Sequence, residues 1–237
     1  MHSSIEMMIR HVEALYTHDP AGRIVRVNEH NGAPAPRFFI GWTKDGVVRR
    51  YRYDVDDLLL RELEAASDQA TRFYADADQE TEAAAGLARY AAILSRSATV
   101  ENSEAGPAFS FPVELPGPSE SVIRVTASNA GILRPYLSAW LPDVKLSAPL
   151  FALIVKGQAA AVCASVRITP QAHEAGVETA AAYRGRGYAG EVARAWAQAV
   201  REVGAEPLYS TSWKNTASRA VARKLGLVQF GSDLHLA

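Results

Sequence analysis

One stretch constrains the fold of this chain more than any other: Val177-Glu178-Thr179-Ala180-Ala181-Ala182-Tyr183-Arg184-Gly185-Arg186-Gly187-Tyr188-Ala189. It reads as a strand over Gly176 to Ala181, a turn carrying two glycines, then a helix over Tyr188 to Val203. Val192, Trp196, Ala199, Val200 and Val203 fall on one stripe of that helix, so it must lie against a sheet. Strand, turn and helix in this order demand an α/β arrangement. The first amides of such a helix have no partner within it and sit at the positive end of its dipole. That is a natural pyrophosphate site, and glycines let an anion approach the backbone closely. Arg184 and Arg186 add charge. No Gly-Lys-Ser/Thr follows at Walker A spacing, and the pattern is not Gly-x-Gly-x-x-Gly.

This local site is not part of a general anion-binding field. Lys+Arg number 25 and Asp+Glu 26, a net charge of −1 over 237 residues. That balance argues against bulk nucleic-acid binding. Hydrophobic residues at 48% and charged residues at 22% fit a globular chain. The one cysteine, Cys163, excludes an intramolecular disulfide and a cysteine-rich metal site. It reads as a core filler. Met1 to Thr17 is interrupted by Glu6, Arg10 and Glu13, unlike a signal peptide. The longest apolar run, Leu150 to Val155, is far too short to span a membrane. A cytoplasmic protein with no membrane partner is expected.

Prolines and glycines cluster at Ser95 to Pro107 and at Pro112 to Ser121, so the chain is divided at residues 105/106. Residues 1–105 are expected to form an α/β region. It has a helix over Ile5 to Tyr16, a strand over Arg23 to Asn28, and helices over Asp54 to Ser67 and Glu80 to Leu94. Between them, Arg37 to Thr43 and Val47 to Tyr53 flank Lys44-Asp45-Gly46. Asp-Gly there predicts a hairpin closed by a type I′ turn. Met7 and Met8 read as packing residues.

Residues 106–237 are expected to hold strands at Ser121 to Thr126, Phe151 to Val155, Ala160 to Ile168 and Pro207 to Trp213. A helix is expected over Ser128 to Trp140, stopped by Pro142. Lys156-Gly157-Gln158 reads as a tight turn. Asn215 is expected to cap a helix that ends at Gly226, ahead of a final strand or strand pair over Leu227 to Leu236.

In this C-terminal region the chain resembles the GNAT superfamily of acetyl-CoA-dependent N-acetyltransferases. Arg184-x-x-Gly187-x-Ala189 is similar to that family's pyrophosphate loop. Asn215-Thr216-Ala217-Ser218 and Lys224-Leu225-Gly226-Leu227 resemble its next helix. The resemblance covers about residues 106–237 and implies a mixed central sheet with two splayed strands. It implies acetyl transfer from acetyl-CoA, as co-substrate, to a primary amine of a small molecule or peptide, with no metal. Thr179, Ala180 and Ala181 would pair with the pantetheine arm, and an amide near Thr179 would polarise the thioester carbonyl. Arg184, Gly185, Arg186, Gly187, Tyr188 and Ala189 would hold the pyrophosphate. Asn215 and Ser218 would line the cofactor cleft opposite.

Many members of the family carry a proton-donating tyrosine two residues before that lysine; this chain has Ala222 there. Ser218, Tyr209 and Ser212 are the candidates in its stead. Glu178 is the candidate base for the amine, with Glu174 second. His173 reads as a loop residue in solvent. His235, on the last strand, could reach an acceptor, and Trp213 reads as packing. Three functional classes stay open: the enzyme, a non-catalytic acyl-CoA sensor or interaction protein, and a nucleic-acid module using Arg49-Arg50-Tyr51-Arg52-Tyr53. Residues 1–105 are expected to wall the acceptor site or to form a homodimer surface.

Overall fold

The computed structural model describes residues 2–30, 32–71 and 79–237. The chain folds as two compact units that interleave in sequence. The first comprises residues 1–109, 210–216 and 229–237, and the second residues 110–209 and 217–228.

In the first unit, helix α1 (Ser4–Leu15) opens on a capping box. The Ser3 hydroxyl accepts from the Glu6 amide while the Glu6 carboxylate accepts from the Ser3 amide. Strands β1 (Tyr16–His18) and β2 (Ile24–Val27) make an antiparallel ribbon. Strands β3 (Phe38–Thr43) and β4 (Gly46–Tyr51) form the expected hairpin, with Thr43 opposite Gly46. Its turn differs from the type I′ expectation. Lys44 and Asp45 are the central residues, and neither has positive φ. Instead the Thr43 hydroxyl accepts from the Asp45 amide and donates to the Gly46 carbonyl, so a side chain closes the turn.

Helices α2 (Asp57–Thr71) and α3 (Gln79–Leu94) follow. The sheet order in this unit is β4-β3-β11-β5, with β5 over Ser103–Ser110 and β11 over Val228–Leu236. Its core joins Phe38, Ile40 and Trp42 to Leu63, Tyr90, Leu94, Leu234 and Leu236. Met8 is fully buried, and a Cβ on Gly41 would lie 2.3 Å from its sulfur, so the glycine makes room for the methionine. Arg37, nearly buried, donates to the carbonyls of Leu94, Ala98 and Thr99 and so ties off the end of α3.

Strand β5 occupies residues expected to be a linker. Gly106 and Pro107 stand inside it because the backbone of 211–213 runs alongside. The Thr211 amide donates to Pro107 and the Trp213 amide to Ala105.

The second unit contains β6 (Val122–Val125), β7 (Leu150–Val155), β8 (Gln158–Ile168), β9 (Ala172–Thr179) and β10 (Glu206–Ser210), in the order β10-β9-β8-β7-β6. All neighbours are antiparallel except β9 and β10, which are parallel. The β7–β8 turn is the one with positive φ at both central residues, Lys156 at 51° and Gly157 at 78°. Helix α4 (Tyr188–Glu202) packs on β7, β8 and β9, and α5 (Thr216–Leu225) closes the motif. Where a helix over Ser128 to Trp140 was expected, the chain makes two short 3-10 turns, at 130–133 and 138–140. Pro135 lies between them and has no amide to continue an α-helix. Leu133 and Leu137 nevertheless reach the core with Val125, Leu150 and Val162.

Candidate active site

The site is built around the end of β9. Strand β10 pairs with β9 at Glu206↔Ala172, Pro207↔His173 and Leu208↔Glu174, and at no later position among the described residues. Beyond this point the parallel ladder ends. On its other side β9 stays paired with β8 up to Ala161↔Thr179. The Ala180 amide donates to the Ala160 carbonyl at 2.9 Å. In an antiparallel ladder the hydrogen-bonded pairs alternate with pairs whose N–H and C=O groups turn away. Ala160 and Ala180 are a bonded pair, so the amide of Thr179 points away from β8, to the side where the β10 ladder has ended. Of the three backbone positions expected to serve the pantetheine arm, Thr179 therefore has an outward donor, and Ala180 has already spent its own. Ala181 starts a 3-10 turn and accepts from the Arg184 amide through its carbonyl.

The glycine turn follows. Gly185 and Gly187 adopt φ of +77° and +84°, in the left-handed region that other residues avoid. A Cβ on either would meet nothing within 4 Å, so the space beside the backbone is open. Gly187 is the N-cap of α4 and supplies no side-chain cap, which leaves the Tyr188 and Ala189 amides as donors at the positive end of the helix. The Arg184 guanidinium donates to the Thr179 carbonyl, and Arg186 to the Ala182 carbonyl. Neither pairs with a carboxylate among the described residues. Arg186 also lies over the Tyr183 ring, 5.6 Å from its centre, and Tyr136 meets the same ring edge-on. Exposed backbone donors, two cations without acidic partners among the described residues, and open space fit a pyrophosphate.

Glu178 is exposed on β9, and the Trp140 indole donates to its Oε2 at 2.6 Å. Gly176 makes this contact accessible, since a Cβ there would lie 3.0 Å from the Trp140 ring and 2.2 Å from Val166. Residues 176 and 178 share a face of the strand. Glu174 is buried at 1% exposure and opposes Arg167 and Leu208 in the ladders, away from solvent.

His173 is not a solvent-facing loop residue. It lies on β9 at 7% exposure, with its Nδ1 2.8 Å from the Ser165 hydroxyl. That hydroxyl also accepts from Trp196 Nε1. Burial lowers the histidine pKa and so favours the neutral ring. Cys163 is wholly buried and burial pushes its thiol well above the ordinary range, as suits a core filler.

Tyr209 is the first residue of β10 past the ladder. Its hydroxyl lies 2.6 Å from the hydroxyl of Ser218 on α5. Burial raises the Tyr209 pKa, and the Ser218 hydrogen bond only partly opposes this. Ala222, in place of a tyrosine, is buried at 1% exposure on α5. Asn215 directly precedes α5, and its amide donates to the Ser212 carbonyl.

In the first unit, two histidines flank one buried acid. His235 on β11 stands 3.5 Å from Asp233 Oδ1, and Asp233 takes a bond from His11 Nε2 at 3.2 Å. Burial alone would raise the Asp233 pKa, but the two histidines hold it at about 2. His11 escaped sequence reasoning, because nothing marks it beyond one polar residue on the buried side of α1. Trp140 escaped because its partner is defined only once β9 has formed. Of the Arg49 to Tyr53 run, Arg49 is bonded to Ser67 and Asp68, Arg52 to Asp54, and Tyr51 is buried against Phe38.

The end of the β9–β10 ladder, the outward Thr179 amide and the uncapped start of α4 thus lie together at the end of β9. Residues 151–231 match the family model described as GNAT acetyltransferase. No curated protein matches the sequence. Three solved structures illustrate the likeness. A GNAT-family protein from Novosphingobium aromaticivorans has 17% identity and a TM-score of 0.49, over 58% of this chain and 65% of its own. The chain thus spans just under two thirds of that protein. An acetyltransferase of the GNAT family from Colwellia psychrerythraea has 14% identity and a TM-score of 0.49, over 83% and 80%. A GCN5-related N-acetyltransferase-like protein from Streptococcus suis has 16% identity and a TM-score of 0.47, over 98% and 99%. No helix among the described residues is long and apolar enough to cross a membrane.

Proposed function

We propose that the chain transfers an acetyl group from acetyl-CoA to a primary amine by direct attack in a ternary complex. The observation that carries this reading is the α4 start. Two left-handed glycines with open space beside them, an uncapped helix N-terminus and the arginines 184 and 186 lie next to an outward Thr179 amide. Acetyl-CoA, when bound, supplies the activated acyl group. Gly185 to Ala189 hold its pyrophosphate through backbone amides, with Arg184 and Arg186 alongside. The Thr179 amide donates to a carbonyl oxygen at the end of β9.

Glu178 takes the proton of the incoming amine, directly or through one water. Its Oε2 is occupied by Trp140, which leaves Oε1 for this role. The Tyr209–Ser218 pair holds the second proton. Burial keeps the phenol protonated, and the two hydroxyls, 2.6 Å apart, act together to pass a proton to a departing sulfur. With Ala222 where a tyrosine is common, this pair is the replacement. The buried lone cysteine suits a reducing, cytoplasmic setting.

The test measures acetyl-CoA stabilisation of the full chain, then release of free CoA against a panel of amines. Stabilisation together with amine-dependent release is expected. Stabilisation with no release by any amine would leave the acyl-CoA sensor, which the buried Ala222 favours, as the better reading.

A further inference from the structure

The first unit carries an open cavity of about 750 Å³ that none of the chemistry above uses. That is within the range of small-molecule pockets, about 300–1,000 Å³. Only three of its lining residues, Ser212, Trp213 and Lys214, fall inside the family-model segment. One wall is a face of α3, where Ala83, Ala84 and Leu87 leave room for an apolar body. Trp213 also lines it.

The polar lining has a definite sign. Glu80 and Glu104 contribute carboxylates, and Lys214 is the cation set against them. His235 stands between two acids. Its Nε2 is 3.9 Å from Glu104 Oε2, and its Nδ1 faces Asp233 at 3.5 Å. Asp233 is itself held charged by His11 behind it. His235 Nδ1 faces the Asp233 carboxylate at ion-pair distance without a hydrogen bond, and that negative charge favours the proton on Nδ1 and a lone pair on Nε2 beside Glu104. A buried carboxylate with a histidine on each side costs desolvation and is a weak way to stabilise a core. It is a good way to aim one imidazole.

We propose that this cavity binds a primary amine with an apolar body, its ammonium donating to Glu104 and to His235 Nε2 and its body lying against Ala83, Ala84, Leu87 and Trp213. The charge set calls for a cation, and the alanine face calls for a compact apolar group. The binding does not rest on the acetyl-transfer proposal.

The experiment is calorimetric titration of the full chain, without acetyl-CoA, using phenethylamine, n-hexylamine and tryptamine and their alcohol counterparts. At least one amine is expected to bind roughly tenfold or more tightly than its alcohol. Glu104→Gln keeps the shape and is expected to weaken the amine roughly tenfold while sparing the alcohol. Ala84→Trp fills the space from an exposed helix position and is expected to abolish both. Stabilisation by acetyl-CoA, measured on the same variants, reports that they are folded and tests the cofactor loop separately. The proposal is overturned if no amine of the three binds, if amine and alcohol bind alike, or if folded Glu104→Gln protein binds the amine as wild type does.

Discussion

The Trp140 indole donates to the Glu178 carboxylate at 2.6 Å, and Gly176 is the residue that lets the ring lie against β9 to do so. The bond fixes one oxygen and the orientation of the other. If Glu178 is the base, Glu178→Gln should lower kcat by roughly 10²-fold or more, the usual yield of a positioned base. Acetyl-CoA affinity should not change. Trp140→Phe keeps the ring and loses only the donor, so its kcat should fall less, by about tenfold. Steady-state kinetics beside cofactor titration separate the two effects. Unchanged kcat in Glu178→Gln would return this carboxylate to a packing role for Trp140.

Gly187→Val tests the α4 start. With φ at +84°, a β-branched residue costs roughly 1–2 kcal/mol in backbone strain and puts carbon into the open space. A modest fall in Tm is expected, with near-complete loss of stabilisation by acetyl-CoA. Gly157→Val, at φ +78° in the β7–β8 turn, carries the same strain and should keep the stabilisation. The pair distinguishes a ligand effect from a folding effect.

Much of this motif could be read directly from the residues, because glycine spacing and an amphipathic stripe are local signals. The α4 start was legible for that reason. What depended on distant partners was not. Gly106 and Pro107 read as linker, yet they lie in β5 beside the backbone of 211–213. His173 looked solvent-facing until Ser165 and Trp196 closed around it. His11 and Asp233 are 222 residues apart and have no shared local pattern. In place of the helix expected over Ser128 to Trp140, two 3-10 turns flank Pro135, which has no amide to continue a helix.

Tyr209 and Ser218 form a relay only if they act together. Tyr209→Phe and Ser218→Ala should each lower kcat by roughly 10²-fold, with little change in acetyl-CoA affinity. The double variant should cost about as much as either alone, because groups that act as one unit are not additive. Multiplicative losses in the double variant would mean that the two hydroxyls act independently.

Asp233 gives the first unit an acid limb. Its folded pKa of about 2 lies below the ordinary value of 3.8. A depressed pKa contributes stability that is fully present above the unfolded value. That stability is lost as pH falls through the window from about 4 to about 2. The shift corresponds to about 2 kcal/mol. Denaturant midpoints measured between pH 6 and pH 2 should show this loss, and Asp233→Asn should be less stable at pH 6 with a shallower acid limb. An unchanged limb in Asp233→Asn would assign the acid sensitivity to other carboxylates.

Gly106→Ala probes the approach of backbone to backbone in the first unit. A Cβ at residue 106 would lie 1.7 Å from the Thr211 carbonyl oxygen and 2.8 Å from Ser212 Cα, neither of which can swing aside as a side chain could. One strand must move, and the Thr211-to-Pro107 and Trp213-to-Ala105 bonds lengthen with it. Roughly 3 kcal/mol or more of destabilisation is expected, at the upper end for overpacking. Gly117→Ala serves as the control. It has no neighbour within 4 Å and no positive φ, so its stability should stay within about 0.5 kcal/mol of wild type. Denaturant unfolding reads both, and equal midpoints for the two variants would show that residues 105–107 are not held against 211–213.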